Sequence, residues 1–479
     1  MSKSYAFALC HSHEYSTECL QELNMYYFYP KVYWNTAVIT TQSQVADERE
    51  NSAMSINYGK IAQSIYKARS NGINVQAPSI NKSGLSFAPN EENDSILFGL
   101  GAISGVNKDI ANQIIENRPY SSFKNFYEKN SYDGSLITNS KMIALIKAGC
   151  FDEFEPNRIK VMKQYVVYST EKKDKLTMQN MDGLIKMHCK IPAPLRQPYT
   201  FKNYVCSKQF YFGQHPSFKS KKLYWLDERA IRYFVANCQP SLQEGVDYWE
   251  DEGRTIVVDK SLEKMFAPVM EELKKYVNTS EFLKEYNKIL YRQKYNSLVP
   301  IQDPNHWSFE TCSFFANGHE LAHIDRERYD ISLFDELPEE PRFITKQNGK
   351  QEWKQYELSQ IACVVIDRND NKHLLTVLDM NNNIVQCKFD ANSYAFFKQQ
   401  ISVPNSDGGK TVVDPSWLKR GQGLILTGYR FGENDFKIKS YKASVYQKKV
   451  RKIESIDNET GEIVVSSNRY GYGEDDNQM

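Results

Sequence analysis

No stretch of this 479-residue sequence approaches the roughly 18 consecutive apolar residues of a membrane-crossing helix. The opening MSKSYAFALCHSHEYS has one early lysine but no sustained apolar run leading to small residues, so it predicts no export leader. An excess of one charge is missing too: 60 Lys and Arg stand against 59 Asp and Glu, a formal net charge of +1. That excludes a whole-chain basic signature for nucleic acid. Any such binding must come from local clusters or backbone amides. The nine cysteines, scattered from Cys10 to Cys387, include no CxxC pair. A disulfide framework and a cysteine-rich zinc knuckle are thereby excluded, leaving free thiols in a reducing compartment. The expectation is a soluble, intracellular protein of about two to four domains.

What is present changes along the chain. Leu20, Leu23 and Tyr27 recur at helical spacing before Pro30, and Ile61, Ile65 and Ala68 do so before an Asn71-Gly72 stop. Residues 75–89 carry Pro78, Gly84 and Pro89 and read as a turn-rich connection. Residues 156–306 alternate charged helical stretches with aromatic-rich loops and show no internal repeat. Beyond Gln355, three β-branched runs in IACVVIDRNDNKHLLTVLDMNNNIVQCKF are split by RNDN and MNNN turns. A short helix (SYAFFKQQI) and two more strands (GLILTGYRF, DFKIKSY) follow, which suggests a small OB-type barrel. The closing GYGEDDNQM reads as a solvated acidic tail.

The most informative stretch is 98–115, FGLGAISGVNKDIANQII. A short apolar helical turn (Leu100, Ile103) meets Gly105-Val106-Asn107, and a second helix opens at Lys108-Asp109 and buries Ile110, Ala111, Ile114 and Ile115. This is the layout of a helix-hairpin-helix, in which Gly and Asn supply the positive φ that the hairpin needs. Free N–H groups at the second helix's start then face a phosphate, in a contact that ignores base sequence. A plain helical hairpin with a glycine turn fits the same residues. Gly99-Leu-Gly101 fails as a dinucleotide site, because position 104 is Ser and no strand precedes a complete GxGxxG. A second hairpin is expected at 137–151, with a helix over 141–148 capped by Gly149.

NGINVQAPSINKSGLSF, ILFGLGAISGVNKDIANQIIENR, SSFKNFYEK and SKMIALIKAGCFDEF together resemble the end of the fingers and the tandem helix-hairpin-helix of the bacterial polymerase III alpha subunit. Asn107 stands where that family usually has the hairpin's second glycine, and Asn tolerates the left-handed conformation. FALCHSHEYSTECLQELNMYYFYP is similar to the family's fingers segment, matching it at Phe7, His11, Ser12, Tyr15, Gln21, Tyr29 and Pro30. Leu9 replaces the family's lysine there, with Lys3 near enough to substitute weakly. FETCSFFANGHELAHI resembles the segment preceding the family's OB domain, matching at Glu310, Phe314, Gly318, His319 and Leu321, with Glu320 in place of a proline. Residues 357–442 then fit the OB domain in order and length.

The resemblance implies chemistry that these residues do not carry. Nucleotidyl transfer needs carboxylates bridging two metal ions, and the family's aspartates sit in a palm N-terminal to everything matched here. Asp367-Arg-Asn-Asp370 and Asp475-Asp476 read as turn and tail residues. The resemblance therefore implies a chain that starts inside a fingers domain, as a split gene, an intron or an intein would produce. His319-Glu-Leu-Ala-His323 is a literal HExxH, whose histidines on a helix would bind zinc while the glutamate polarises water. Asn317-Gly318 argues instead that His319 starts a turn, Asp325 sits where such a helix needs an apolar residue, and Glu339 and Glu340 lie in a loop. Gln179–Leu184 vaguely resembles a sliding-clamp peptide, although a helix start is the commoner meaning. Lys219, Lys221 and Lys222, and Lys448, Lys449, Arg451 and Lys452, form basic clusters that are usually solvated surface. Tyr394, Phe396, Phe397 and Tyr429 could stack on unpaired bases, though most should fill the barrel core.

The sequence thus leads to an α+β multidomain chain. Its expected parts are the end of the fingers (1–95), a tandem helix-hairpin-helix (96–155), a divergent, mostly helical insert (156–306), a connector (307–353), an OB-fold (354–445) and a basic-then-acidic tail (446–479). Gly105, Val106, Asn107 and Lys108 are the expected DNA contacts, and Lys3 and His11 the residues nearest the nucleotide. The expected function is the C-terminal component of a split DNA-directed DNA polymerase in a bacterium or phage-infected cell, inactive alone. Its partners would be DNA, a palm-bearing chain that holds Mg2+, and a sliding clamp, with no membrane, no catalytic residue and no cofactor of its own. A non-catalytic DNA-binding accessory protein is the alternative, and a zinc metalloprotease the remote one.

Overall fold

The computed structural model describes residues 9–43, 56–211, 222–251, 253–316, 318–348, 351–404, 409–441, 449–457 and 459–470. They fall into two compact units: Met1–Met162 with Ile301–Met479, and Lys163–Pro300. The first begins with α1 (Leu9–Phe28) and α2 (Lys31–Ser43), broken at Pro30, and α3 (Tyr58–Ser70). In α3, Asn57 caps the start by accepting from the Lys60 amide at 3.0 Å, and Ile61, Ala62, Ile65 and Ala68 are buried at the predicted spacing. Asn71 and Gly72, at φ +82, end it. The equally regular α1 buries nothing, and its Leu20, Leu23 and Tyr27 are exposed.

A three-stranded sheet ordered β1-β3-β2 follows, from β1 (Asn74–Gln76), β2 (Ala88–Asn90) and β3 (Ser95–Leu97). Next come α4 (Lys108–Glu116), α5 (Phe123–Asn130), α6 (Asn139–Ala148) and α7 (Arg158–Ser169). The second hairpin lies where the sequence puts it: α6 ends at Gly149, which is left-handed at φ +90. Around that turn the buried Arg158 guanidinium binds Asp152 at 2.6 Å and Ser308 Oγ at 2.5 Å, and the Lys147 carbonyl at 3.1 Å. Nearby, Lys147 pairs with Glu310 at 2.7 Å.

The second unit contains α8 (Met181–Lys186), α9 (Ala193–Lys208), β4 (Leu223–Leu226), α10 (Glu228–Asn237), β5 (Tyr248–Asp251), β6 (Arg254–Val258), α11 (Asp259–Tyr276) and α12 (Ser280–Leu298). Alongside the expected helices it holds an antiparallel sheet ordered β4-β6-β5. The aromatic Tyr248-Trp249 and the β-branched run 255–258, meeting at Gly253, are a hairpin signal that helix-like charge patterning hid. One core joins Phe201, Tyr224, Phe234 and Phe266, and a second joins Leu184, Leu273, Val277 and Phe282.

Returning to the first unit, α13 (Pro304–Cys312) and the single turn α14 (Arg326–Tyr329) lead to a hairpin of β7 (Phe343–Asn348) and β8 (Gln351–Tyr356). The barrel strands are β9 (Ser359–Asn369), β10 (Leu374–Asp379) and β11 (Ile384–Lys388), then α15 (Ala391–Lys398) and a hairpin of β12 (Ile401–Pro404) and β13 (Lys410–Asp414). β14 (Gly423–Arg430) and β15 (Asp435–Ile438) complete it, with β16 (Val450–Ile456) and β17 (Ile463–Ser466) beyond. The order β9-β10-β11-β15-β14 closes on itself, because β14 pairs with both β9 and β15. The β11–β15 contact alone is parallel. This is a closed five-stranded, OB-type barrel, with the expected helix between its third and fourth strands. In β9 all six residues 361–366 are buried, since one face fills the barrel and the other is covered from outside. α3 supplies part of that cover: a side chain at Gly59 would collide with Asp367, and Arg420 stacks on Tyr58 at 4.3 Å.

Two expectations need correction. Residues 446–479 are not merely a tail: β16 adds to the edge of β14, and β17 pairs with it. Val450 and Ile453 give their apolar side to the core while their neighbours stay polar. Within the basic cluster there, Lys449 binds Asp390 at 2.9 Å, Arg451 binds Gln360 and Lys452 binds Glu454. Lys448, the acidic end with Asp475-Asp476, and Lys219 and Lys221 lie outside the described residues.

Two measurements test this framework. Alanine at Gly149 would meet both the left-handed penalty and an overlap with the Arg158 guanidinium, so urea unfolding should show a loss of about 2–4 kcal/mol. At Asp390, burial raises the carboxyl pKa, but Ser393 and Lys449 outweigh it and hold the group at about 2. A depressed folded pKa contributes stability above the unfolded value near 4, lost as pH falls towards 2. Lys449→Met should therefore flatten the fall in melting temperature between about pH 4 and pH 2.

Candidate nucleic-acid interface

The candidate contacts sit on one hairpin. Leu100–Ala102 forms a single tight 3-10 turn rather than a full helix, with Leu100 and Ile103 buried. Gly105 follows at φ +84, the positive value that glycine adopts without penalty. Val106 is buried and its amide donates to the Ile103 carbonyl at 2.9 Å, so it packs the turn from within. Asn107 is not left-handed, as a glycine substitute would be. It lies at φ −90, ψ 177 and caps α4, its Oδ1 accepting from the Ile110 amide at 3.0 Å. That cap satisfies one first-turn amide and leaves those of Lys108 and Asp109 for an outside acceptor. Ile110, Ala111 and Ile114 are buried, while Ile115 is half-buried at the edge of that face.

The hairpin is held rigidly from behind. The Ser104 amide donates to the Thr311 carbonyl at 2.8 Å, and Phe98 stacks on Phe314 at 5.5 Å and 19°. The Glu310 and Phe314 matched in the sequence thus brace the two hairpins from a stretch some 200 residues away in the chain. Lys141 is a residue that sequence reasoning missed. It lies in the first turn of α6, and a side chain at Gly105 would come within 3.3 Å of its ammonium. Lys108 is offset by the neighbouring Asp109, so Lys141 supplies the net positive charge here, beside two helix N-termini whose dipoles also favour an anion. No local motif marks this lysine; its proximity comes only from folding.

A second surface lies on the barrel. Tyr429 stacks on Tyr356 at 4.3 Å and 19°, and Phe343 meets Tyr356 edge-on at 5.8 Å. Lys439 lies over Tyr356 and Tyr441, and Lys354 over Phe343. Phe343, Trp353 and Tyr441 are exposed. Of the four aromatics singled out in the sequence, Tyr394 and Phe397 are core, Phe396 packs against it, and Tyr429 alone joins this face.

Other candidates resolve differently. His11 is exposed on α1, its ring 3.6 Å from Cys10 Sγ, and Lys3 lies outside the described residues. His319–His323 forms turns, not a helix, so the HExxH pattern lacks the geometry that aligns its histidines. His319 accepts from the Leu321 amide at 3.0 Å, and burial pushes its imidazole down to about 3. Glu320 instead holds His306 at 2.8 Å. Burial alone would lower the His306 pKa, but that carboxylate raises it overall. Asp370 opens the turn between β9 and β10, accepting from Tyr394 and Lys398. Met181 and Leu184, which a clamp would have to grasp, are buried in their own core. All nine cysteines are free. Among the described residues, no group of three His, Cys, Asp or Glu could hold a metal ion, and no helix is long and apolar enough to cross a membrane.

Comparison with known proteins agrees with this geometry. A helix-hairpin-helix motif family matches residues 72–161. The probable DNA polymerase YorL of Bacillus subtilis and the DNA-directed DNA polymerase of Bacillus phage SPbeta are each 34% identical to this chain over 468 residues. The match covers 95% of this chain and 34% of each relative, so the chain spans about a third of their length. The DNA polymerase III subunit alpha of Chlamydia muridarum is 31% identical over 182 residues, or 36% of this chain and 13% of its own.

For the hairpin, Lys108→Glu and Lys141→Glu should each weaken duplex binding equally for every sequence. Each should also flatten the slope of log K against log salt by about 1, read by fluorescence anisotropy. An unchanged slope for Lys141→Glu would remove that lysine from the interface.

Proposed function

We propose that this chain, a relative of DNA polymerases of the polymerase III alpha type, is the part of such an enzyme that holds DNA while a palm-bearing polypeptide supplies the catalytic aspartates and their Mg2+. The observation that carries this reading is the braced Gly105 hairpin in a chain similar to DNA polymerases over 95% of its length. Backbone amides and Lys141 would grip phosphates of the duplex product without reading bases, as an enzyme that must slide along any sequence requires. The Tyr356–Tyr429 face, with Lys354 and Lys439, offers rings and cations to unpaired template.

Support for a polypeptide partner comes from α1. Its Leu9, Leu20, Leu23, Met25, Tyr27 and Phe28 are at least half exposed, an apolar surface large for a free helix. The palm-bearing part is the occupant that this reading assigns to it. His11 on the same helix would then lie towards the nucleotide. The work would be done where the cell keeps its DNA, in the cytoplasm.

Primer extension by the chain alone and mixed with palm-bearing polypeptides, alongside co-purification, tests the proposal. The expected result is extension only in the mixture. It should be lost with Gly105→Val plus Asn107→Leu, and co-purification should be lost with Leu20→Glu plus Leu23→Glu. Duplex binding without extension in any mixture would instead make the chain a polymerase-derived accessory protein.

A further inference from the structure

The unit from Lys163 to Pro300 opens a cleft of about 720 Å3, where the end of α8, the start of α9 and the end of α11 meet. Its walls are apolar: Ile185, Ile191 and Pro192, with the half-buried ring of Tyr276. Its rim carries the cations Lys190 and Arg196 with His188 beside them, and Thr200 lies one turn along from Arg196. The local sequence sets this arrangement. After α8 the chain reverses through His188 at φ +54, the Cys189 amide donating to the Leu184 carbonyl at 3.0 Å. The Tyr276 hydroxyl donates to the Lys190 carbonyl at 3.4 Å, fixing the ring beside the cations. Arg196 and Thr200, four residues apart on α9, share one face of that helix.

The charges here are uncompensated. Some lysines of the unit pair with carboxylates, as in Lys172–Asp174, Lys173–Glu171 and Lys274–Glu271. Among the described residues, Lys190 and Arg196 find none. Of the nearby acids, Asp182 accepts from Tyr199 and Asn203 of α9 at 3.1 and 3.0 Å, and Glu285, beside Cys189, faces Lys288 at 3.7 Å. The 16-residue α9 begins at Pro192 without a side-chain cap, so its positive end adds to the same field. Unpaired cations repel one another across a small cleft until an anion enters. An apolar wall with an accessible ring adds a surface for a flat, aromatic group. Phosphate and base together meet both demands. A duplex keeps its bases stacked inward and cannot lay one on Tyr276, whereas an unpaired strand can.

We propose that this cleft binds an unpaired nucleic-acid strand, with Lys190 and Arg196 on successive phosphates and Tyr276 stacking on a base. This chemistry holds whether or not the chain works within a polymerase.

The test uses the full chain carrying Gly105→Val, Lys354→Glu and Lys439→Glu, which weaken the hairpin and barrel-face contacts proposed above, and a fluorescein-labelled oligothymidylate containing 5-iodouracil. Irradiation should crosslink the peptide that contains Tyr276, and Tyr276→Phe should retain the adduct. Lys190→Glu plus Arg196→Glu should raise Kd about tenfold and flatten the salt slope by about 1.4, at about 0.7 per phosphate on a single strand. Tyr276→Leu should raise Kd while leaving that slope unchanged, separating stacking from charge. Crosslinks confined to other peptides, with Kd and slope unmoved by the double variant, would overturn the proposal. So would equal competition by duplex, or displacement by micromolar thymidine monophosphate, which would make the ligand a free nucleotide.

Discussion

The guanidinium of Arg158, 3% exposed, is the contact on which the first unit's arrangement depends. Desolvating that charge is costly unless every donor is matched, and here Asp152, the Lys147 carbonyl and Ser308 share the matching. Removing one partner of such a buried pair typically costs about 3–5 kcal/mol, so the group works as a clamp. It joins the end of the second hairpin to α13, two segments separated by the whole of residues 163–300. Because Gly149 has no side chain, the guanidinium can lie against the backbone of the turn itself.

Functional geometry follows from that clamp. α13 and the residues after it brace the first hairpin through Ser104 and Phe98, and hold α3 through the Arg69 contact to the Phe315 carbonyl at 2.8 Å. α3 in turn covers β9 of the barrel. The unpaired amides at the start of α4 and the barrel's aromatic face are thus set on one braced framework rather than on free loops. A helix N-terminus attracts a phosphate only if its amides stay oriented, and here the orientation is enforced from behind.

Some of this was legible in the chain. Gly105 and Gly149 announced turns that need positive φ, and both adopt it. The β-branched runs after Gln355 gave barrel strands in the right order, with a helix in the right gap. Asn107 misled, because one residue type serves both left-handed turns and helix caps, and the hydrogen bond to Ile110 chose the cap. At His319–His323 the Asn317-Gly318 turn signal outweighed the HExxH spacing, and the segment does form turns. The pattern of an HExxH helix was present, but Leu321 and Ile324 go into the core as a turn, and Glu320 is drawn to His306. The strands of residues 450–466 were hidden by their basic residues, whose charges Asp390 and Glu454 neutralise only after folding.

The sequence by itself determined the local geometry: which residues reverse the chain, which helices carry an apolar stripe, and that the β-branched runs after Gln355 form strands. It did so because backbone sterics and period are properties of neighbouring residues. Only the tertiary structure decided that Lys141 stands beside Gly105, that Arg158 ties segments 150 residues apart, and that Tyr429 faces out while Tyr394 faces in. Each of these depends on which distant surface a side chain meets. Burial, charge pairing and dielectric are set by that meeting, and no local window of the chain contains it.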